Sequence, residues 1–315
     1  MNIKQLRYFI GIVRHRSFSR AAEELNLTQP ALSLQIQKLE EECEFMLIDR
    51  SRKPLGISPE GLMFYEKALQ ILQLVDDLDR LSINMIDGIE RQLRIGIIST
   101  LSPYLIPLFT KTLRSKHPEL HLSIEELLTE DIVAKLNYNE LDLGIISTPI
   151  LAKNISYKPL FYEKFYMYVS PNHPLYNCEQ VDMAEVQLDD MISLAEGNCF
   201  RNQSDSICLT AQESTQTSQF EYTASSVEST MRLVESLGGI ALIPEFASHH
   251  IPKGCEHMLK EIKGGSPARE ISAAYLKTTG LKRISQYFID TVMASVPQPM
   301  RKKPVQNPID TRIKL

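Results

Sequence analysis

The chain has 315 residues, 43% of them hydrophobic and 23% charged, which are the proportions of a folded globular protein and exclude wholesale disorder; the length suits two domains of roughly 150 residues. Its 39 acidic and 34 basic side chains leave a formal charge of −5, so no basic coat covers the molecule and any nucleic-acid contact has to come from a local cluster. The cysteines Cys43, Cys178, Cys199, Cys208 and Cys255 are odd in number and contain no CxxC pair, which argues against a secreted disulfide framework and against structural zinc.

Residues 1–58 read as a winged helix-turn-helix. Ile3, Leu6, Phe9, Ile10 and Val13 recur at helical spacing. Ser17 is placed to cap a short second helix carrying Ala21, Ala22 and Leu25. Thr28 opens a third, with Pro30 in its first turn and Ala31, Leu32, Ile36 and Leu39 expected to face inward. A helix in that position enters the major groove. Thr28, Gln29, Pro30, Ser33, Gln35 and Lys38 on it, with Arg50, Arg52 and Lys53 of the proline-bounded hairpin that follows, are the expected DNA contacts; the alternative for the three wing cations is a solvated face. Residues 1–57 hold nine basic and seven acidic side chains, but the acids gather at Glu40–Glu44 and the bases at the helix tip and wing.

Residues 59–88 read as a linker and dimerisation helix. Leu62, Tyr65, Leu69, Leu72, Val75, Leu78 and Leu81 repeat every three or four positions, and the amphipathic stretch Gly61–Ile86, about 26 residues, spans roughly 39 Å as a helix. Asp87-Gly88 ends it.

Residues 89–296 read as a two-lobed α/β effector domain of periplasmic-binding-protein type, lobe I at about 89–161 and 268–296 and lobe II at about 162–267. Strands are expected at Leu93–Ile98, Leu120–Leu127 and Leu141–Ile146, alternating with helices at Pro103–Lys116 and Thr129–Tyr138, which implies parallel pairing with right-handed crossovers. Strands at Phe165–Val169, Met191–Leu194, Phe220–Ala224 and Gly239–Pro244 and a helix at Val227–Leu237 make the second lobe. Ile271–Leu276 and Leu281–Val296 return to the first. A ligand cleft is expected at the carboxyl ends of the strands. Residues 297–315, polar and punctuated by proline, read as a loose tail.

The run from Ala21 to Glu40 (AAEELNLTQPALSLQIQKLE), with Leu47-Ile48-Asp49-Arg50 in the wing, resembles the signature of LysR-type transcriptional regulators. Within that family, Gly197-Asn198-Cys199-Phe200-Arg201-Asn202-Gln203 followed by Cys208, together with Pro103-Tyr104-Leu105-Ile106-Pro107, resembles the hydrogen-peroxide-sensing OxyR branch. The resemblance implies a non-enzymatic activator of oxidative-stress genes that binds inverted repeats in double-stranded DNA; the lack of an apolar run of about 18 residues and of a charged-then-apolar N-terminal segment predicts a cytoplasmic chain. It implies a homodimer or homotetramer working with RNA polymerase, reset by a glutaredoxin- or thioredoxin-type reductant, with no cofactor, metal or membrane. It also implies Cys199 as the peroxide-reactive thiol, Cys208 as the thiol that resolves it to a disulfide, and Thr100 and Thr129 as cleft hydroxyls that hold the peroxide. Asn198 stands where that branch has histidine, and Glu44 where the family has glycine.

A thiol attacks peroxide as its thiolate and titrates near 8.5 when free, so Cys199 requires a positive field. Arg201 is the nearest cation in sequence, and the Asn198 amide can donate a hydrogen bond but no proton, which predicts a slower response than in relatives with histidine. If 199–208 is a regular helix, its two cysteines stand about 13.5 Å apart along the axis, rotated by about 900°. A disulfide requires Cα atoms within about 7 Å, so bonding demands that the intervening residues unwind. Competing readings remain: Thr100 and Thr129 as helix caps, Cys43, Cys178 and Cys255 as small core residues, and no acid–base spacing at Glu163 or Glu196. Two other functions are open, a LysR-type regulator responding to a small organic acid in the cleft, and a peroxidase using the same cysteines, which leaves residues 1–57 unexplained.

Overall fold

The computed structural model describes residues 1–87, 92–194, 199–208, 224, 226–305, 308–313 and 315. The chain divides into two compact units, Met1–Ile89 and Glu90–Leu315.

In the first unit, α1 (Ile3–His15) opens on a reciprocal cap in which Asn2 Oδ1 accepts from the Gln5 amide and Gln5 Oε1 accepts from the Asn2 amide. Helix α2 (Phe18–Glu24) starts at Ser17, and α3 (Gln29–Cys43) starts at Thr28 with proline in its first turn. Phe9, Ile12, Ala21, Ala22, Leu32, Ile36, Leu39, Leu47 and Ile48 form the core of the unit. Ala31, expected inside, is exposed: the 32/36/39 stripe alone faces the core. Strands β1 (Ile48–Asp49) and β2 (Gly56–Ile57) pair antiparallel as the wing. The wing is tied to α3 by Glu40, whose carboxylate, 6% exposed, accepts from the Leu47 and Ile48 amides at 2.8 and 3.1 Å and from Arg50 Nη2 at 3.0 Å. Helix α4 runs from Pro59 to Asp87 with Leu62, Met63, Leu74 and Leu78 exposed. The expected helix end at Gly88 lies outside the described residues.

In the second unit, β3 (Gln92–Ile98), α5 (Ser102–Lys116), β4 (His121–Leu127), α6 (Thr129–Asn137) and β5 (Leu143–Thr148) follow one another, and β3 pairs parallel with both β4 and β5. Then come β6 (Ile155–Val169), β7 (Gln180–Val181), α7 (Cys199–Ile207), α8 (Val227–Leu237), β8 (Ile240–Pro244), α9 (Glu245–Ser248), β9 (Leu259–Ile262), β10 (Ala268–Leu276) and α10 (Arg283–Ser295). The sheet order is β4-β3-β5-β10-β6-β9-β7, with β8 also on β6. β10 is antiparallel to both β5 and β6. α10 returns to α5, where the Phe109 and Phe288 rings meet edge to face at 5.0 Å.

Three expectations are corrected. The strand at Phe165–Val169 is only the end of a 15-residue strand, β6. Its first part pairs with β10 and its last part with β8 and β9, so one strand serves both halves of the sheet. Pro159, with Lys158 just before it and Lys164 further on, disguises it; proline is tolerated because the register with β10 shifts there, between Ile271 and Ser272. Met191–Leu194 forms no strand, only the bridges Met191–Ile240 and Leu194–Ala224, and residues 220–223 of the next expected strand lie outside the described ones. The segment after residue 296 is not a loose tail. A 3-10 turn at Gln298–Arg301 buries Met300, and further on Thr311 and Ile313 are buried. Its polar composition reads as solvated chain, but backbone groups of Ile309, Thr311, Ile313 and Leu315 are taken up by the start of β10, by the stretch after β5 and by α7.

Helix α3 ends on Glu44 in the left-handed region, φ 61° and ψ 21°, where a Cβ is disfavoured. Glu44→Gly is expected to stabilise the first unit by up to about 1 kcal/mol in chemical denaturation of the full chain. An unchanged or lowered midpoint contradicts this.

Candidate functional site

Strand register builds the centre of the site. Arg269 near the start of β10 stands directly opposite Glu163 on β6, so both side chains leave the same face of the sheet. Both are 0% exposed. Arg269 Nη2 lies 2.7 Å from Glu163 Oε2, and Nε donates to the same oxygen at 2.9 Å. Nη1 donates to Thr100 Oγ1 at 2.9 Å and Nη2 to the Thr100 carbonyl at 3.4 Å. Glu163 Oε1 accepts from the Phe246 amide at 2.9 Å. Burial pushes the Glu163 carboxyl up, opposed by the Arg269 charge and that amide. The guanidinium also lies over two aromatic rings, Phe165 at 6.0 Å and Phe200 at 5.5 Å.

Phe200 belongs to α7, whose first residue is Cys199. Its ring packs on Phe165 at 5.4 Å, which seats the start of α7 against the β6–β10 pair and the buried cation. Gln203, also buried, donates from Nε2 to Ser147 Oγ at 3.1 Å. Cys208 follows the last residue of α7. It is a free, buried thiol donating to Met191 Sδ at 3.2 Å. Burial, with the nearby Asp205 charge and against the weaker pull of Arg201, pushes it up to about 12, so it is a neutral SH at any ordinary pH. Since 199–207 is regular helix, the two cysteines stand about 13.5 Å apart along its axis.

The other expected site residues fall as follows. Thr100 joins the arginine cluster. Thr129 is buried as the first residue of α6, and neither threonine is the residue that caps a helix, since Leu101 and Leu128 hold those positions. Ser102 donates to Glu126 close by. Arg201, expected to supply positive charge to Cys199, is half-exposed and engaged by Asp205 one turn on at 3.0 Å and by the Leu194 carbonyl. Asn198 and the Cys199 side chain lie outside the described residues. Thr28, Gln29, Pro30 and Lys38 are exposed on α3, and Ser33 and Gln35 half-exposed. In the wing Arg50 is held by Glu40 and lies over Phe18 at 5.4 Å, Arg52 pairs with Asp49 at 2.8 Å, and Lys53 is exposed. Among the described residues, no group of three or more histidine, cysteine or carboxylate side chains is placed to hold a metal ion. No helix of the described residues is long and apolar enough to cross a membrane.

Sequence reasoning missed Arg269, Glu163 and Glu40. The available signal was faint: Arg269 and Glu163 each border an apolar run, Ile271-Ser272-Ala273-Ala274 and Leu160-Phe161, but with a second charge next to them, Glu270 and Lys164. Such a charge is almost never fully buried unless it is paired.

Residues 3–62 match the bacterial regulatory helix-turn-helix proteins of the lysR family, and residues 87–296 match the LysR substrate binding domain. A hydrogen peroxide-inducible genes activator of Haemophilus influenzae is 31% identical over 277 residues, 87% of this chain and 90% of that protein. The DNA-binding transcriptional dual regulator OxyR of Escherichia coli is 31% identical over 247 residues, 78% of this chain and 80% of that one. A full-length OxyR from Pseudomonas aeruginosa with a cysteine-to-aspartate substitution superposes with a TM-score of 0.64 at 28% identity, covering 94% of this chain and 97% of that one.

The buried, neutral Cys208 is expected to react with iodoacetamide at pH 8 on the order of a thousandfold more slowly in the folded, reduced chain than in the denatured chain, by peptide mass spectrometry. Equal rates would show that the thiol is not held as described.

Proposed function

This chain belongs to the LysR family of DNA-binding transcription regulators and is OxyR-like within it, and we propose that it senses hydrogen peroxide by reversible formation of a Cys199–Cys208 disulfide. The observation that carries the reading is α7 itself. It begins at one cysteine, ends beside the other, and is seated at its start on a fully buried cation.

Cys199 as the first residue of a helix stands where unpaired backbone N–H groups and the helix dipole favour a thiolate. Arg269 lies over the Phe200 ring beside that end, but its charge is matched by Glu163, so the helix start itself is the main source of positive field. The thiolate attacks one peroxide oxygen; the O–O bond breaks, Cys199 becomes a sulfenic acid, and the departing hydroxide takes a proton to leave as water. The Cys208 sulfur then attacks the sulfenic sulfur, gives up its own proton, and releases a second water. Two thiols and one hydrogen peroxide thus become one disulfide and two waters.

The second step needs the sulfurs together, so α7 must open. Its interior, Arg201-Asn202-Gln203-Ser204-Asp205-Ser206, includes asparagine, serine and aspartate, which are poor helix formers, and this lowers the cost of opening. Opening withdraws Phe200 from Phe165 and Arg269, and a covalent bond then holds the altered packing. The DNA half of the proposal rests on Thr28, Gln29, Pro30, Ser33, Gln35 and Lys38 on the outer side of α3 and on Lys53 at the wing. Arg50 and Arg52 join Lys53 there; they also shape the wing through Glu40 and Asp49 while staying partly or largely exposed. Exposed Leu62, Leu74 and Leu78 on α4 suit a homodimer, from which a tetramer assembles. RNA polymerase and a glutaredoxin- or thioredoxin-type reductant are the remaining proposed partners.

Free thiols counted before and after one equivalent of hydrogen peroxide are expected to fall by two, and to stay constant in Cys199→Ser. An unchanged count in the parent chain, with thermal stabilisation by a small organic acid instead, would replace this reading with a ligand-responsive one.

A further inference from the structure

The segment at 308–313 is docked on the second unit by hydrogen bonds to three separate stretches of chain. The Ile309 amide donates to the Ala268 carbonyl at 2.9 Å, at the start of β10 and next to Arg269. Thr311, 0% exposed, donates from its hydroxyl to the Pro149 carbonyl just after β5. The Leu151 amide donates to the Ile313 carbonyl at 3.2 Å, and the Leu315 amide to the Leu151 carbonyl at 2.7 Å. The segment is therefore stitched to two neighbouring stretches of the sheet region.

Its remaining bonds go to α7. Asn202 Nδ2 donates to the Thr311 carbonyl at 3.0 Å, and Gln203 Nε2 donates to the Ile309 carbonyl at 3.1 Å while also reaching Ser147. Carbonyls two residues apart in extended chain point the same way, so 309 and 311 can face one helix together. The two side chains that clasp them are consecutive and sit midway between Cys199 and Cys208.

We propose that residues 308–313 are a strap that holds α7 in its helical form and is released when the cysteine pair closes. The release half rests on the redox reading above; the hold on α7 does not. To bring the cysteines from about 13.5 Å to within about 7 Å, residues 200–207 must leave the helix, and Asn202 and Gln203 cannot then keep their places on the strap carbonyls. The coupling is reciprocal: whatever the strap adds to the helical state it subtracts from the disulfide state, so the strap sets the peroxide level at which the switch turns. It also anchors beside Arg269, which links the conformation of α7 to the cation at its start.

Hydrogen–deuterium exchange on the full-length chain tests both halves. In the reduced state, ending the chain after residue 307 is expected to speed exchange of the 203–207 amides at least tenfold. Thr311→Val, which removes the donor to Pro149 without altering α7, is expected to speed it at least threefold. Unchanged α7 exchange in both variants overturns the strap. After hydrogen peroxide, the Ile309 and Leu315 amides of the parent chain are expected to exchange at least tenfold faster. Unchanged strap exchange in chains whose Cys199–Cys208 link is verified by mass spectrometry overturns the release. Faster α7 exchange in the reduced variants, with no link formed by peroxide, supports the hold and sinks the redox reading instead.

Discussion

A guanidinium cannot shed its charge, so burying one completely commits the surrounding structure to compensating it. Arg269 is in that position, and each of its neighbours is fixed by the compensation. Glu163 has to lie across from it in strand register, Thr100 has to turn its hydroxyl and carbonyl inward at the end of β3, and Phe165 and Phe200 cover its plane. The end of β3, the middle of β6 and the start of both β10 and α7 therefore converge on one charge. Removing it would leave Glu163 buried and unpaired, a loss on the order of 3–5 kcal/mol, so the cluster has a structural role whatever chemistry it supports.

The helix seated on that cluster is a weak one. Nine residues are too few for a helix to persist by itself, and the composition of α7 does not help it. It is held by Phe200 at its start, by Gln203 on Ser147 and by the C-terminal strap across its middle. An element kept in shape by a few tertiary contacts rather than by its own propensity is suited to two arrangements, because loosening those contacts is enough to melt it. The neutral, packed Cys208 fits the same scheme: it is chemically silent while the helix stands.

The DNA-binding unit was legible in the sequence because its signals are local. Caps at Ser17 and Thr28, the 32/36/39 stripe and the strained position at Glu44 can each be read within a few residues. What escaped was long-range. Nothing near Arg269 or Glu163 announces that they are partners 106 residues apart, since only the β6–β10 register makes them so. β6 was truncated in the reading because a proline that ends most strands is accommodated here at a register shift. The strap was read as solvent-exposed because polar, proline-rich composition is the usual mark of a tail, whereas this one docks through backbone hydrogen bonds that composition does not encode. The cysteine pair was legible through resemblance and not through physics; spacing said only that a regular helix would keep the two apart.

In the proposed switch, oxidant brings together two sulfurs that the reduced fold separates by the length of a helix. Non-reducing peptide mapping of the full chain after brief hydrogen peroxide treatment measures this directly. The expected product is a peptide pair joined through Cys199 and Cys208, lost on adding dithiothreitol. Cys199 carried to sulfinic or sulfonic acid with Cys208 still a free thiol would contradict it.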